Sequence, residues 1–340
     1  MENRINTLNL KLENELNTRE IPIGLFSGKM GVCIYLYRLG RLQNNNKFYK
    51  HAEKLLDEVF NEVNKIDTID IENGLLGISL GINYLIRNNY IQGDENTIFE
   101  DVDDRIFKYS SFNQGDKDIS VLIQILYYIY IRQQSSLSKE INYLFDELSA
   151  QIINTLHAKI EFILNDSVAS FSIDSKFPLF LFILSKIYQN NTNKDKITRI
   201  VQEIIPLILS RFESTHSKRL HLLWGVSKIN SQIKDKRLSI YCDILASHIH
   251  IDSLVEEFPN KNVFIKNGIA GIYLLISSLE ENEKQKIDVK SFYIKCKQKI
   301  EDSLIWKLYD NDEYFNNHAG LTGYCGAVIV WNMIYNQYER

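Results

Sequence analysis

Lys266-Asn267-Gly268-Ile269-Ala270-Gly271-Ile272-Tyr273-Leu274-Leu275-Ile276 decides the fold: a Gly-x-x-Gly pair opening an apolar run of helical character. The figure recurs on either side. Gly28-Lys29-Met30-Gly31, Gly74-Leu75-Leu76-Gly77 and Gly320-Leu321-Thr322-Gly323 each precede a similar run, and Leu222-Leu223-Trp224-Gly225 keeps only the second glycine. The copies start at 28, 74, 222, 268 and 320, and the gap of 148 between 74 and 222 holds close to three periods of 46 to 52. Two copies without glycines therefore belong near 121 and 177, where Ser120–Tyr130 and Phe177–Leu184 are apolar and helix-like. Seven units at a near-constant period imply repeated supersecondary elements, each burying its apolar face against its neighbours.

Within each unit the pattern pairs one amphipathic helix with one largely apolar helix. The amphipathic set is expected at 3–18, 47–66, 97–110, 138–165, 193–213, 236–251 and 287–307. The apolar set is expected at 29–41, 75–89, 119–133, 178–189, 221–233, 269–280 and 321–337. Only four prolines occur and no strand-like alternation persists, so the class is all-α. Apolar helices must be surrounded, whereas one-sided helices can wrap outside. Seven of each give an α/α toroid, a double-layered barrel forming one domain over 1–340. Glycines at the motif allow close approach of neighbouring backbone. Parallel apolar helices would bring unpaired N–H groups and positive dipole ends around one cavity.

The chain is 45% hydrophobic and 24% charged, as for a globular protein, and net charge -4 with pI near 6.0 gives no reason to expect nucleic acid or an anionic membrane as partner. The longest apolar run falls far short of the ~20 residues of a membrane span. Residues 1–20 do not resemble a signal peptide. The four cysteines form no C-x-x-C, and reduced thiols in a cytoplasmic protein are expected.

The spacing, the Gly-x-x-Gly-(Ile/Val) figure and the helix count together resemble the lanthionine synthetase C-like family over essentially the whole chain. The resemblance is carried most clearly by Gly24-Leu25-Phe26-Ser27-Gly28-Lys29-Met30-Gly31, Glu72-Asn73-Gly74-Leu75-Leu76-Gly77 and Asn267-Gly268-Ile269-Ala270-Gly271-Ile272. It implies an α/α toroid of seven inner and seven outer helices. It also implies a cyclase that adds cysteine thiols to dehydrated serines or threonines of a precursor peptide, using a zinc ion that lowers the thiol pKa. The family's zinc ligands come from a Trp-Cys-x-Gly figure in the fifth unit and a Cys-His-Gly-x-x-Gly figure in the sixth. Here the fifth unit has Leu220 at the cysteine, and the sixth has Lys266-Asn267 in place of Cys-His. Lysine is protonated at neutral pH and leucine has no donor atom. The cofactor expectation is therefore none, although zinc belongs to the family.

The residues before the glycine pairs are expected to line the mouth, which makes Glu72, Asn73, His221, Lys266, Asn267 and His318 the candidate substrate-binding set. Glu72, His221 and His318 read either as a relocated metal or acid–base site, or as rim hydrogen bonds. Asn73 and Asn267 read as helix N-caps. Lys266 could pair with Glu72, attract a peptide carboxylate or be solvated. Cys33 and Cys325 occupy equivalent places in units one and seven, either as a thiol pair or as small core filling, while Cys242 and Cys296 fall on amphipathic helices. Asp101-Val102-Asp103-Asp104 matches the acid motif of class II terpene cyclases by accident, and Asp94 or Asn96 should cap the helix that contains it.

The expected function is that of a zinc-less lanthionine synthetase C-like protein. It would bind a precursor peptide or a peptide-modifying enzyme as an accessory in lanthipeptide-like (lantibiotic) biosynthesis, a pseudoenzyme in the cytoplasm. The alternatives are a cyclase or modifying enzyme with its site relocated to Glu72, His221 and His318, and a scaffold using only its outer surface.

Overall fold

The computed structural model describes residues 1–15, 21–111, 117–165 and 170–338, and no strand occurs among them. All fourteen expected helices have a counterpart, although residues 16–18 of the first lie outside the described part. The chain divides into two compact units.

The first unit comprises Met1–Val102, Asn260–Lys266 and Cys296–Arg340. Its centre is the helix Lys29–Gln43, which packs against Asn46–Glu62, Leu75–Arg87 and Tyr324–Tyr338. Contact on several sides explains why this helix is apolar nearly all round, with Met30, Val32, Cys33, Tyr35 and Leu36 at or near zero exposure. Asn46–Glu62 is one-sided and buries only Phe48, Ala52, Leu55, Leu56 and Val59. Units one and seven of the repeat are thus neighbours, as ring closure requires.

The motif glycines answer to close approach. Gly28 and Gly74 are N-cap residues, and Gly31 and Gly77 lie in the first turns of the helices that follow. A Cβ on Gly31 would stand 2.2 Å from the Leu25 carbonyl oxygen, and one on Gly77 2.1 Å from that of Ile71. No glycine among the described residues has a positive φ, so missing bulk is what these two positions require.

The segment leading into each helix folds back over the helix start, and its carbonyls accept the first amide protons. Lys29 and Met30 N–H donate to Pro22 and Ile23, Leu75 and Leu76 to Thr68 and Ile69, and Tyr324 and Cys325 to His318 and Ala319. This corrects the expectation of unpaired helix-start N–H groups facing a cavity. In these three units the orphan donors of the helix start are satisfied locally. The expected asparagine caps are corrected too. Gly74 and Gly268 hold the N-cap positions without side-chain caps, and the Asp70 carboxylate secures the preceding turn by accepting from Glu72 and Asn73 N–H at 2.8 Å each.

The second unit comprises Asp103–Pro259 and Asn267–Lys295. Its apolar helices Ile119–Arg132, Lys176–Gln189, His216–Ile233 and Ile269–Ser278 pack in sequence, each against the next. Asp94 is the side chain that caps the helix Glu95–Ser111, accepting from Asn96 and Thr97 N–H. From that helix Asp103 turns inward. Arg132 holds it at 2.8 Å and the Tyr128 hydroxyl donates to it at 2.5 Å, all buried, which accounts for the acid motif structurally.

Several amphipathic helices are shorter than their periodicity suggests. Lys139–Ala158 breaks at Lys159 before a separate turn Ile160–Leu164, and Lys236–Ser247 stops before Ile251–Glu256. Lys194–Leu209 ends four residues before 213. Val289–Glu301 gives way to a 3-10 turn at Leu304–Lys307, because Asn260 draws the chain aside: its carbonyl accepts from Leu304 N–H and the Ser303 hydroxyl.

Candidate functional site

In the first unit Lys266 and Glu72 come together, Nζ to Oε2 at 3.0 Å. Both side chains are about a third or more exposed, 32% and 45%, so this is a water-screened pair. Its stabilisation belongs to the range of roughly 0–1 kcal/mol typical of exposed pairs. The Glu72 carbonyl accepts from Phe26 N–H, and Asn73 Oδ1 accepts from the Ser27 hydroxyl at 3.2 Å, so the lead-in segments of units one and two are tied side by side.

His318 ends the short helix Asp312–Asn317. Its Nδ1 lies 2.8 Å from the Tyr314 carbonyl, which can only accept, so Nδ1 carries the proton. The ring stacks on Tyr314 at 4.3 Å and on Phe264 at 5.2 Å between centroids. Its partners are therefore an aromatic cluster, and Glu72 is not among them.

In the second unit the helix carrying the degenerate glycine figure starts at His216, five residues earlier than expected, with Thr215 as its cap. Leu220 and His221 are consequently inside the helix, which corrects their placement among residues preceding an apolar helix. Leu220 is fully buried. His221 is 2% exposed, its ring near Phe171 and Trp224, and its Nε2 is buried without a hydrogen-bond partner. Burial lowers its pKa to about 3, so the imidazole is neutral near pH 7. Asn267 lies apart from it in contacts, its Oδ1 accepting from the Ser172 hydroxyl at 2.9 Å.

His221 also lines a cavity of about 450 Å³ in this unit. Half-buried Lys176, Lys218, Arg211 and Glu213 share the lining with apolar Phe177 and Leu222. Arg211 and Glu213 are paired at 2.9 Å. Sequence reading missed this cavity because its residues come from three separate stretches, within 163–165, 175–178 and 211–222, with no common motif.

The four thiols do not present a nucleophile. Cys33, Cys242, Cys296 and Cys325 are unbridged and buried, and burial raises the pKa of each, that of Cys242 to about 12. Cys33 donates to the Ala52 carbonyl at 3.3 Å. This favours the core-filling reading, since reactivity requires thiolate.

A zinc ion takes thiolate, imidazole or carboxylate donors. Where the family resemblance places those ligands, this chain has aliphatic Leu220, Lys266 held by Glu72, and Asn267 engaged with Ser172, a set that does not fit zinc. Among the described residues no group of three His, Cys, Asp or Glu side chains is arranged to hold a metal ion. No helix among them is long and apolar enough to cross a membrane.

No family model and no curated protein matches the chain. Among solved structures it is similar to one described as nisin cyclase, with a TM-score of 0.67 over 100% of this chain and 94% of that one, at 12% sequence identity. At that identity the likeness speaks to architecture alone, and the architecture it shows is an all-α α/α toroid of about seven inner and seven outer helices.

Proposed function

We propose that the chain is a single lanthionine synthetase C-like domain over 1–340 that dispenses with zinc. It binds a precursor peptide, or the enzyme that modifies one, as an accessory protein in ribosomal peptide (lanthipeptide-like) modification in the cytoplasm. One observation carries the reading: on a fold shared with nisin cyclase, Lys266 of the sixth unit is spent on an ion pair with Glu72 where a thiolate ligand would be needed. Buried Leu220 in the fifth unit supports it. Without a metal to hold thiolate, ring closure has no activated nucleophile, but the body of the fold can still hold a peptide.

Nothing among the contacts favours a relocated site, because Glu72 is engaged by Lys266 and His318 by Tyr314 and Phe264. The test uses a dehydrated, cysteine-containing precursor peptide. Thioether formation is an addition that leaves mass unchanged, so ring closure is read by alkylating the thiols that remain. The expected result is binding with every peptide thiol still alkylated. Progressive loss of alkylatable thiol with catalytic amounts of the chain would overturn the proposal.

A further inference from the structure

The aromatic residues of the second compact unit lie in an order that its core does not require. Its helices Ile119–Arg132, Lys176–Gln189 and His216–Ile233 fill the core with aliphatic side chains, among them Leu126, Leu184 and Leu223 at zero exposure. Several aromatic rings keep to another side. Tyr127 and Tyr130 are three residues apart on the first helix, Phe182 and Lys186 four apart on the second, and Trp224 and Lys228 four apart on the third, so each pair shares a helix face. Ring contacts join the three faces into one band: Tyr130 to Tyr127 at 6.1 Å, Tyr127 to Phe182 at 6.2 Å and Phe182 to Trp224 at 4.7 Å between centroids. Trp224 Nε1–H continues the band onto Ile269–Ser278 by donating to the Ser278 hydroxyl at 2.8 Å. Trp224 is buried, but Tyr127, Tyr130, Phe182, Lys186 and Lys228 are only half-buried, so the band reaches solvent.

One cation belongs to this band without an ion pair among the described residues. Lys186 Nζ stands 5.5 Å from the Phe182 centroid and 5.9 Å from that of Tyr130, and it donates to the neutral Gln189 side chain at 3.4 Å. The nearby acid, Glu280, is held by Lys228 at 3.2 Å. Burial, and after it the Lys228 ammonium, hold the Lys186 amine below the ordinary lysine range. A carboxylate arriving beside Lys186 offsets both.

We propose that this band binds an extended peptide segment in which an acidic residue stands beside bulky apolar ones. The acid pairs with Lys186, and the apolar side chains cover Phe182, Tyr127 and Tyr130. The steps of 6.1, 6.2 and 4.7 Å give the band the reach of at most about five extended residues at roughly 3.3 Å each, more than a single-ring acid covers. A single-stranded nucleic acid suits it less well, since phosphates recur along such a chain and the band has one spare ammonium. The inference rests on the peptide-binding reading proposed above and names the class of sequence recognised.

The test titrates the full chain by calorimetry with a blocked pentapeptide that carries one glutamate among leucine and phenylalanine. Its glutamine counterpart and a counterpart with serine at the apolar positions are compared with it. Phenylacetate and oligothymidylate serve as the small-acid and nucleic-acid probes. The glutamate peptide should bind in the roughly submillimolar range, the glutamine peptide about tenfold more weakly, and the serine peptide not measurably. Phe182→Ala should weaken the glutamate peptide about tenfold. Lys186→Gln should bind the glutamate and glutamine peptides alike, a coupling that loss of packing alone would not produce. Equal binding of those two peptides by the wild type, discrimination that survives Lys186→Gln, or no binding of the glutamate peptide overturns the proposal. So does phenylacetate or oligothymidylate binding as tightly as the glutamate peptide. Precursor-peptide binding that persists unchanged in both variants overturns this inference and leaves the accessory reading intact. Should Phe182→Ala lose its fold by circular dichroism, the Lys186→Gln comparison decides.

Discussion

Replacing Asp103 tests how the second unit is held together. Asp103 and Arg132 are 6% and 1% exposed, the guanidinium grips the carboxylate from Nε and Nη2, and Tyr128 donates to the same carboxylate. Asp103→Ala removes the carboxylate that these bonds share and leaves the buried Arg132 guanidinium, 1% exposed, without it. Breaking a buried pair in this way costs about 3–5 kcal/mol. At roughly 2–4 °C per kcal/mol for a body of about this size, the melting temperature should fall by roughly 6–20 °C. Replacing both partners, Asp103→Leu with Arg132→Met, removes the stranded charge and should recover most of the loss. Urea denaturation followed by circular dichroism measures both variants, with Tyr128→Phe as a control for the hydroxyl. A loss below about 1 kcal/mol in Asp103→Ala would refute the reasoning, because it would mean that Arg132 escapes to water.

Stability should depend on acid through His221. Its folded pKa, about 3, lies below the ordinary 6.5, so the unfolded chain takes up a proton that the folded chain refuses. The contribution is complete above about pH 6.5 and is lost as pH falls toward 3, so between pH 6.5 and 4.5 the wild type should lose roughly 2 kcal/mol more than His221→Phe in denaturant titrations. Gly77→Ala should cost about 1–3 kcal/mol, since its Cβ would meet the Ile71 carbonyl at 2.1 Å, whereas Gly40→Ala, facing the Tyr49 ring at 3.1 Å, should stay within about 1 kcal/mol of neutral by thermal melting. None of the four thiols should react rapidly with a disulfide reagent at pH 8 in the native protein, and all four should react once it is unfolded; a fast native thiol would contradict their burial.

The repeat was legible because glycine leaves a mark where a carbonyl crowds a helix start, as Leu25 crowds Gly31 and Ile71 crowds Gly77. Helices apolar on all faces, such as Lys29–Gln43, announced that they were surrounded. What composition could not reveal was backbone bonding between segments. The pairing of Lys29 with Pro22 and of Leu75 with Thr68 satisfies the amides that a helix-by-helix reading leaves open, and it displaced the asparagines from the N-caps. The start at His216 was hidden because Arg219 and Lys218 look like a solvated stretch, yet Arg219 is 7% exposed, bonded to the His248 and Glu213 carbonyls. The Lys266–Glu72 pair, 194 residues apart in sequence, was one of several open readings that only three-dimensional placement could select.

The claim on which the account turns is that this fold works without a metal. Mass-spectrometric metal analysis of the purified chain, grown with zinc and dialysed against metal-free buffer, tests it most directly. The account expects zinc far below one atom per chain and no loss of helicity with a chelator; one zinc per chain that resists dialysis would contradict it.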